Sequence, residues 1–341
     1  MSTSYAQVAG ARSGSGLTAT DLFSGGGGSS EGLRQAGYRI VTAANHWATA
    51  IATHQANHPD TDHRQANLSE TDFRSFLRTD VLWASPSCVW FARSGGRKKP
   101  TVEVERQRAD DGSIDRATAF AVIAATEVHS YDAVIVENVT EFMGWVLYRG
   151  WLDLMTALGY RHQVVVLNSA DIGPNPVSQN RKRFYAVFTR RGDVDLTVPP
   201  VERTPATAIL DPDLGPLVTR RLYVTPQIEQ ITEHGVPHLV TYRKHAKAMR
   251  ADRHPLATVT AGGNHHAIAT LTGDGPTHRF LTRRERARAQ GFPDNYVFHG
   301  KTVKVGNRSI DEVRTQIGNA VSVNVARWLG DRVAQSLGAS S

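Results

Sequence analysis

The sequence predicts an α/β fold: a mostly parallel sheet covered by helices on both faces, with a second, smaller domain attached. Three observations predict it. Strand-like and helix-like stretches alternate from Leu17 to Thr189. The first strand runs into the glycines Gly25 to Gly28 and then into a helical pattern. After Arg191 the chain becomes rich in proline and threonine without a clear period. That shift sets the expected boundaries: 1–191 for the first domain, 192–300 for the second, and 301–341 for a C-terminal segment that packs back on the first.

The elements follow in order. Leu17 to Phe23 is β-prone, and Ser29-Ser30-Glu31-Gly32-Leu33 opens a helix after the glycines. Tyr38 to Ala44 is the next strand. Trp47 to His54 is a helix closed by Asn57-His58-Pro59. Asp80 to Ala84 is an apolar strand ended by Ser85-Pro86-Ser87, and Arg93 to Pro100 reads as a loop. Ala117 to His129 is a helix, and Ala133 to Val136 a buried strand ending at Glu137-Asn138. Trp151 to Leu158 is helical, while His162 to Leu167 and Arg183 to Thr189 are strands. Thr315 to Leu337 reads as one helix.

Composition narrows the function classes. The 341 residues carry 39 Lys and Arg against 32 Asp and Glu, a net charge of +7, with one cysteine. A single thiol excludes an intramolecular disulfide, a CxxC redox pair and a zinc site built on several cysteines, and no metal is expected. No stretch reaches the apolar length that spans a membrane. Met1 to Gly16 lacks the apolar core of a secretory signal, so a reduced, cytoplasmic compartment is expected. The basic excess suits an anionic partner.

Four features could carry chemistry, each with a bland alternative. The glycine run lets the backbone approach a ligand closely, or is simply a tight turn. Cys88 follows a strand at its carboxyl end, where α/β sheets bind ligands, so it is a nucleophile or a small buried apolar residue. Glu137 caps the following helix or acts as a general acid with a raised pKa. Gln179, Arg181 and Arg183 would share one face of a strand, giving two guanidinium groups on one site or a solvated basic edge.

Taken in order, these pieces resemble the DNA cytosine-5-methyltransferase family. Asp21-Leu22-Phe23-Ser24-Gly25-Gly26-Gly27-Gly28 looks like its first motif. Pro86-Ser87-Cys88 matches its Pro-Cys motif in part, and Glu137-Asn138-Val139 matches its Glu-Asn-Val motif. Gln179, Arg181 and Arg183 match Gln-x-Arg-x-Arg, and the stretches Arg279 to Asp294 and Gln316 to Val321 resemble the last two blocks. The resemblance implies a Rossmann-like, S-adenosylmethionine-dependent methyltransferase domain with a smaller target-recognition domain, acting on double-stranded DNA. It implies Cys88 as the nucleophile at cytosine carbon-6, and Glu137 at ring nitrogen-3 and the exocyclic amine. It implies Arg183 at the carbonyl oxygen, with Arg181 fixing the flipped nucleotide or the cysteine loop. Cofactor contacts carry over to Phe23, Ser24, Gly25, Gly27, Trp47, Leu68, Asn319 and Val321.

The chain departs from the family pattern in places. Ser87 and Val89 flank the cysteine where the family usually has proline and glutamine. His46 and Asn67 stand where the family commonly places acids for the ribose hydroxyls and the adenine amine, and each can still accept a hydrogen bond. Arg93, Arg97 and Lys98 are expected on DNA from the loop. Arg243, Lys244, Lys247 and Arg250 are expected on phosphates or base edges from the recognition region, or else form a solvated helix face. The expected enzyme is a monomeric restriction-modification methyltransferase of a bacterium or a phage-infected host. The alternatives are a scaffold transferring a larger group from a modified cofactor, an inactive DNA-binding relative, and an RNA-directed member.

Overall fold

The computed structural model describes residues 15–87, 118–306 and 308–338. A seven-stranded sheet is built from β1 (Thr18–Leu22), β2 (Arg39–Asn45), β3 (Asp62–Gln65), β4 (Val81–Ala84), β5 (Ala133–Asn138), β6 (Arg161–Asn168) and β7 (Lys182–Thr189), in the order β3-β2-β1-β4-β5-β7-β6. Six strands run in one direction, and β7 runs antiparallel to them between β5 and β6. The fold is the Rossmann-like one.

Alternate residues explain why both faces are covered. Val81, Trp83, Ala133, Ile135, Tyr185 and Val187 point to one core, while Leu82, Ala84, Val134, Val136, Phe184 and Phe188 point to the other. The first core is closed by α1 (Gly28–Gln35) and α8 (Val323–Ser336), through Leu33, Val325, Leu329 and Val333. The second is closed by α3 (residues 118–129) and α4 (Tyr148–Ala157), through Val122, Ala125, Trp151 and Met155. The remaining helix of this half is α2 (Ala48–Asn57), which packs beside β2 and β3.

A second sheet contains β8 (Pro237–Thr241), β9 (Met249–Arg250), β10 (His266–Thr272) and β11 (Gly275–Phe280), ordered β11-β10-β8-β9 and antiparallel throughout. A short helix, α5 (Thr225–Ile228), lies on one of its faces. The other face shares a core with α6 (Arg283–Ala289) and α7 (Glu312–Asn319), through Leu239, Ile268, Ala287, Val313 and Ile317. The hairpin of β12 (Thr302–Val305) and β13 (Arg308–Asp311) leads into α7.

The structure corrects three readings. The stretch expected as one helix from Thr315 to Leu337 is two, α7 and α8, broken at an extended Ala320 with φ −60° and ψ 146°. The carbonyls of Gly318 and Ala320 at that break are bound by the Arg181 guanidinium, so the helical ladder stops there. Strands β3, β12 and β13 were not expected, because DHRQ, TVKV and RSID lack a clean apolar alternation. The segment from Thr241 to Arg250 is not a helix: it is a turn between β8 and β9.

Glycines set how closely the halves approach. A Cβ on Gly28 would collide with the Val321 carbonyl oxygen, and one on Gly32 would lie 2.5 Å from the Ala326 Cβ. Gly28→Ala is therefore expected to destabilise the fold by about 1–3 kcal/mol. Gly150→Ala, in an exposed turn of α4 with no atom near the added carbon, should instead stabilise it by about 0.5–1 kcal/mol. Urea unfolding of the two variants checks both signs.

Candidate active site

The chain reverses direction in the sheet at β1 and β4: β2 and β3 lie to one side, β5 to the other. At such a switch point a crevice opens outside the carboxyl ends of the strands. Five segments end there: Phe23 to Gly27 after β1, His46-Trp47 after β2, Asn67-Leu68 after β3, Ser85 to Ser87 after β4, and Asn138-Val139 after β5. Phe23, Ser24, Gly25, Gly27, His46, Trp47, Asn67, Leu68 and Glu137 thus lie along one edge of the sheet.

The glycine turn divides its work. Phe23 (φ 61°), Gly25 (φ 51°) and Gly27 (φ 89°) are all left-handed, a conformation that favours glycine. At Gly27 a Cβ would collide with the Tyr296 hydroxyl, and at Gly28 with Val321, so those two glycines make room for protein. At Gly25, among the described residues, a Cβ meets nothing closer than the Phe23 carbonyl oxygen at 4.0 Å, so the space beside this glycine, three residues before α1, is left open by them. Ser24 is buried and its N–H donates to the Ala44 carbonyl at 3.1 Å. His46 and Asn67 are exposed, Trp47 is half-buried and Leu68 is buried. The Trp47 N–H donates to Asn45 Oδ1 at 2.9 Å, and the Ser69 N–H to Asn67 Oδ1 at 3.2 Å. Asn319 is exposed at the end of α7, and Val321 is buried against Gly28.

Beneath the turn lies a polar network that sequence reasoning missed. The hydroxyls of Ser29 and Ser30 both donate to Asp21 Oδ2 at 2.6 Å. Burial pushes the Asp21 carboxyl up to about 6 against those bonds. His54 bridges the Ser30 hydroxyl and His63, each at 2.8 Å. Tyr296 donates its hydroxyl to the Gly26 carbonyl at 2.8 Å and lies 3.4 Å from His58 Nε2. Burial holds His54 well below the ordinary histidine range and pushes His58 down to about 4. The spacing of His54 and His58 on one turn of α2 was the only signal for this in the sequence.

The chemical groups sit on β5 and its neighbours. Glu137 is buried at the end of β5, and burial raises its carboxyl above the usual range against the pull of Arg183, Arg181 and the Ser85 hydroxyl. Arg183 Nε lies 3.4 Å from Glu137 Oε1. Asn138, also buried, donates from Nδ2 to the Pro86 carbonyl at 3.1 Å and so ties β5 to the segment after β4. The Ser87 N–H donates to the Thr118 hydroxyl at 3.2 Å. Cys88, the next residue, lies outside the described residues, as do Arg93, Arg97 and Lys98.

Gln179, Arg181 and Arg183 do not share one face of a strand, because β7 begins only at Lys182. Gln179 is fully buried and spans the Ala289 carbonyl, Gln290 Oε1 and the Val259 N–H at 2.9, 3.1 and 2.6 Å. Arg181 donates to the carbonyls of Val259, Gly318 and Ala320 at 3.0, 3.1 and 3.0 Å. Arg183 turns its guanidinium toward Glu137, and Arg181 is near enough to act on the same carboxyl.

The family model for C-5 cytosine-specific DNA methylases matches residues 17–235 and 218–335. The chain belongs to the C-5 cytosine-specific DNA methylase family. It is 29% identical to the type II methyltransferase M.HgiDI of Herpetosiphon aurantiacus over 91% of each chain. It is 28% identical to the type II methyltransferase M.HhaI of Haemophilus parahaemolyticus, over 94% of this chain and 95% of that one. Among solved structures it resembles the Entamoeba histolytica methyltransferase EhMeth in fold, with a TM-score of 0.66 at 13% identity, over 94% of this chain and 99% of that one.

As a DNA cytosine-5-methyltransferase the protein needs cations for its substrate. Arg243, Lys244 and Lys247 are exposed in the turn between β8 and β9. Arg250 is committed elsewhere: it pairs with Asp252 at 2.6 Å and with Glu233 at 3.7 Å. Among the described residues no cluster of His, Cys, Asp or Glu could hold a metal ion, and no helix is long and apolar enough to cross a membrane.

Two outcomes follow from this geometry. Arg181→Met strips a donor from three buried carbonyls and should cost about 3 kcal/mol or more in urea unfolding. His58 stays neutral in the fold down to about pH 4, whereas the unfolded chain protonates it below about 6.5. Its contribution to stability is therefore lost as pH falls through that window. His58→Asn should flatten the acid limb of the stability curve by about 1.4 kcal/mol per pH unit. Asp21 works in the opposite sense, since its raised pKa costs stability as pH rises through about 6, so the variant's curve should retain that slope.

Proposed function

We propose that this enzyme transfers a methyl group from S-adenosylmethionine to carbon-5 of a cytosine flipped out of duplex DNA, through a covalent Cys88 adduct. The observation that carries the reading is Glu137: a buried carboxyl with a raised pKa beside Arg183, next to the segment that continues into Cys88. A carboxyl so placed keeps its proton to higher pH than an exposed one, because burial disfavours the charged form, and can share that proton with a ring nitrogen.

The residues fit the methyl donor on one further observation, the space beside Gly25, three residues before α1, that the described residues leave open. Phe23, Ser24, Gly25, Gly27, His46, Trp47, Asn67, Leu68, Asn319 and Val321 would hold it. When bound, it supplies an electrophilic methyl carbon. The base must leave the stack, because carbon-5 is unreachable inside the duplex. The Cys88 thiolate then adds to carbon-6, and Glu137 donates its proton at nitrogen-3, which makes carbon-5 nucleophilic. Arg183 holds the carbonyl oxygen. Arg181 acts by positioning the chain around Asn319. After methylation, loss of the carbon-5 proton expels the thiolate and restores the ring.

Residues 1–191 would form the catalytic domain, 192–300 the recognition domain and 301–341 the segment that closes the cofactor side. The similar type II enzymes support a restriction-modification role, with the enzyme acting as a monomer in the cytoplasm. The Ser87-Cys88-Val89 variant of the nucleophile motif would still present a thiol.

Methylation of random-sequence duplex DNA, read by bisulfite sequencing and nucleoside mass, tests this. The expected result is a recurring cytosine motif and the mass gain of one methyl. Cys88→Ser should abolish product, and Glu137→Gln should slow transfer by about 10²–10⁴-fold. Full turnover in Cys88→Ser would remove the covalent mechanism, and a larger mass gain would reassign the donor.

A further inference from the structure

One face of the second sheet is covered by α5 and its flanks, where Val224, Ile228 and Ile231 meet Val240, Ala267 and Ala269. The cover stops at one end. There Tyr223, 60% exposed, stacks on Tyr242 with ring centroids 5.8 Å apart and planes at 17°. Tyr242 meets Phe280 at 4.9 Å, and Phe280, 40% exposed, meets His278 at 5.4 Å. The Tyr242 hydroxyl lies 3.2 Å from His278 Nε2. The four rings form a continuous plate, with His278 and Phe280 on β11, Tyr242 just after β8 and Tyr223 just before α5, and a contiguous exposed apolar surface of this kind marks a binding face.

Cations rim the plate. Arg220 and Arg221 precede Tyr223, and Arg243, Lys244 and Lys247 follow Tyr242; all five are exposed. Arg220 is near enough to Tyr242 to act on its hydroxyl. Among the described residues none of the five has an ion-pair partner, whereas Arg250, Arg279, Arg283 and Arg288 all do. Glu229 shares a groove with Arg220 and Arg221. Tyr223, Gln230, Arg243, Lys244 and Lys247 line a second groove of about 460 Å³. The plate is also joined to the active site: Arg181 holds the Val259 carbonyl, and six residues on, the His265 carbonyl accepts the Tyr242 N–H at 2.8 Å.

We infer that this plate is the base-reading surface of the enzyme, and that it recognises thymine methyl groups in the major groove while the five cations hold the phosphates. The inference rests on the duplex-DNA reading above. Exposed cations without ion-pair partners suit a polyanion. The four rings carry no amide or carboxylate fork of their own, Gln227 and Gln230 lying in the adjoining groove, and an apolar ring surface meets the methyl of thymine.

Fluorescence anisotropy with the full chain and no cofactor tests it. The probe is the tightest-binding duplex selected from a random pool, compared with the same duplex carrying uracil for every thymine. The wild type should lose about fourfold in affinity for each contacted methyl. Tyr223→Ala and Phe280→Ala should bind the two duplexes alike, with S-adenosylmethionine binding by calorimetry unchanged. Replacing Arg220, Arg243 and Lys247 together by glutamine should weaken all duplexes and lower the salt slope by about three. Equal wild-type affinity for thymine and uracil duplexes overturns the inference, as does an unchanged ratio in Tyr223→Ala. Tighter, Tyr223-dependent binding of single strands overturns it in favour of stacking on unpaired bases. A chain that shows the thymine preference yet transfers no methyl group sinks the enzymatic reading alone.

Discussion

The Arg181 guanidinium holds distant stretches of the chain to one point. It takes the carbonyl of Val259 from the segment between β9 and β10, and those of Gly318 and Ala320 from the break between α7 and α8. A planar fork with five donors can do this where a lysine could not. Buried backbone carbonyls need partners, and at this seam regular secondary structure supplies none. Gln179 repeats the device two residues earlier, on Val259, Ala289 and Gln290. The second sheet, the α6–α7 unit and the main sheet are therefore registered against one another by the start of β7.

That registration has consequences at the crevice. Val321, just past the break, packs so closely on the turn after β1 that only glycine fits at position 28. Tyr296 closes on Gly27 from the same side and bonds the Gly26 carbonyl. The turn is thus shaped from below by Asp21 and the His54 network and from above by the C-terminal block, with the space beside Gly25 left open by the described residues. Electrostatics follows the same division. Arginines at the seams are bound by carboxylates or carbonyls, whereas Arg220, Arg221, Arg243, Lys244 and Lys247 beside the aromatic plate are exposed and have no ion-pair partner among the described residues. The modest net charge of +7 therefore says less than its distribution.

The sequence by itself determined the α/β class and the order of the main elements, because alternating apolar residues in β4, β5 and β7 can be buried only by helices on both faces. It also determined which segments end at the crevice, since the strand-terminal motifs are local. The tertiary structure alone decided what several of those residues do. Gln179 and Arg181 stand in one short motif with Arg183 in sequence, and that they clamp Val259, Ala289, Gly318 and Ala320 could not be read there, because those partners lie far along the chain. Gly27 and Gly28 look like Gly25, yet protein atoms stand where their Cβ would be, because what fills the space of a missing Cβ is a long-range property. The break at Ala320 carries no proline, since it is set by hydrogen bonds from Arg181 rather than by local propensity. Tyr223, Tyr242, His278 and Phe280 have no common spacing, and only the pairing of β8, β10 and β11 with the segment before α5 brings them into one surface.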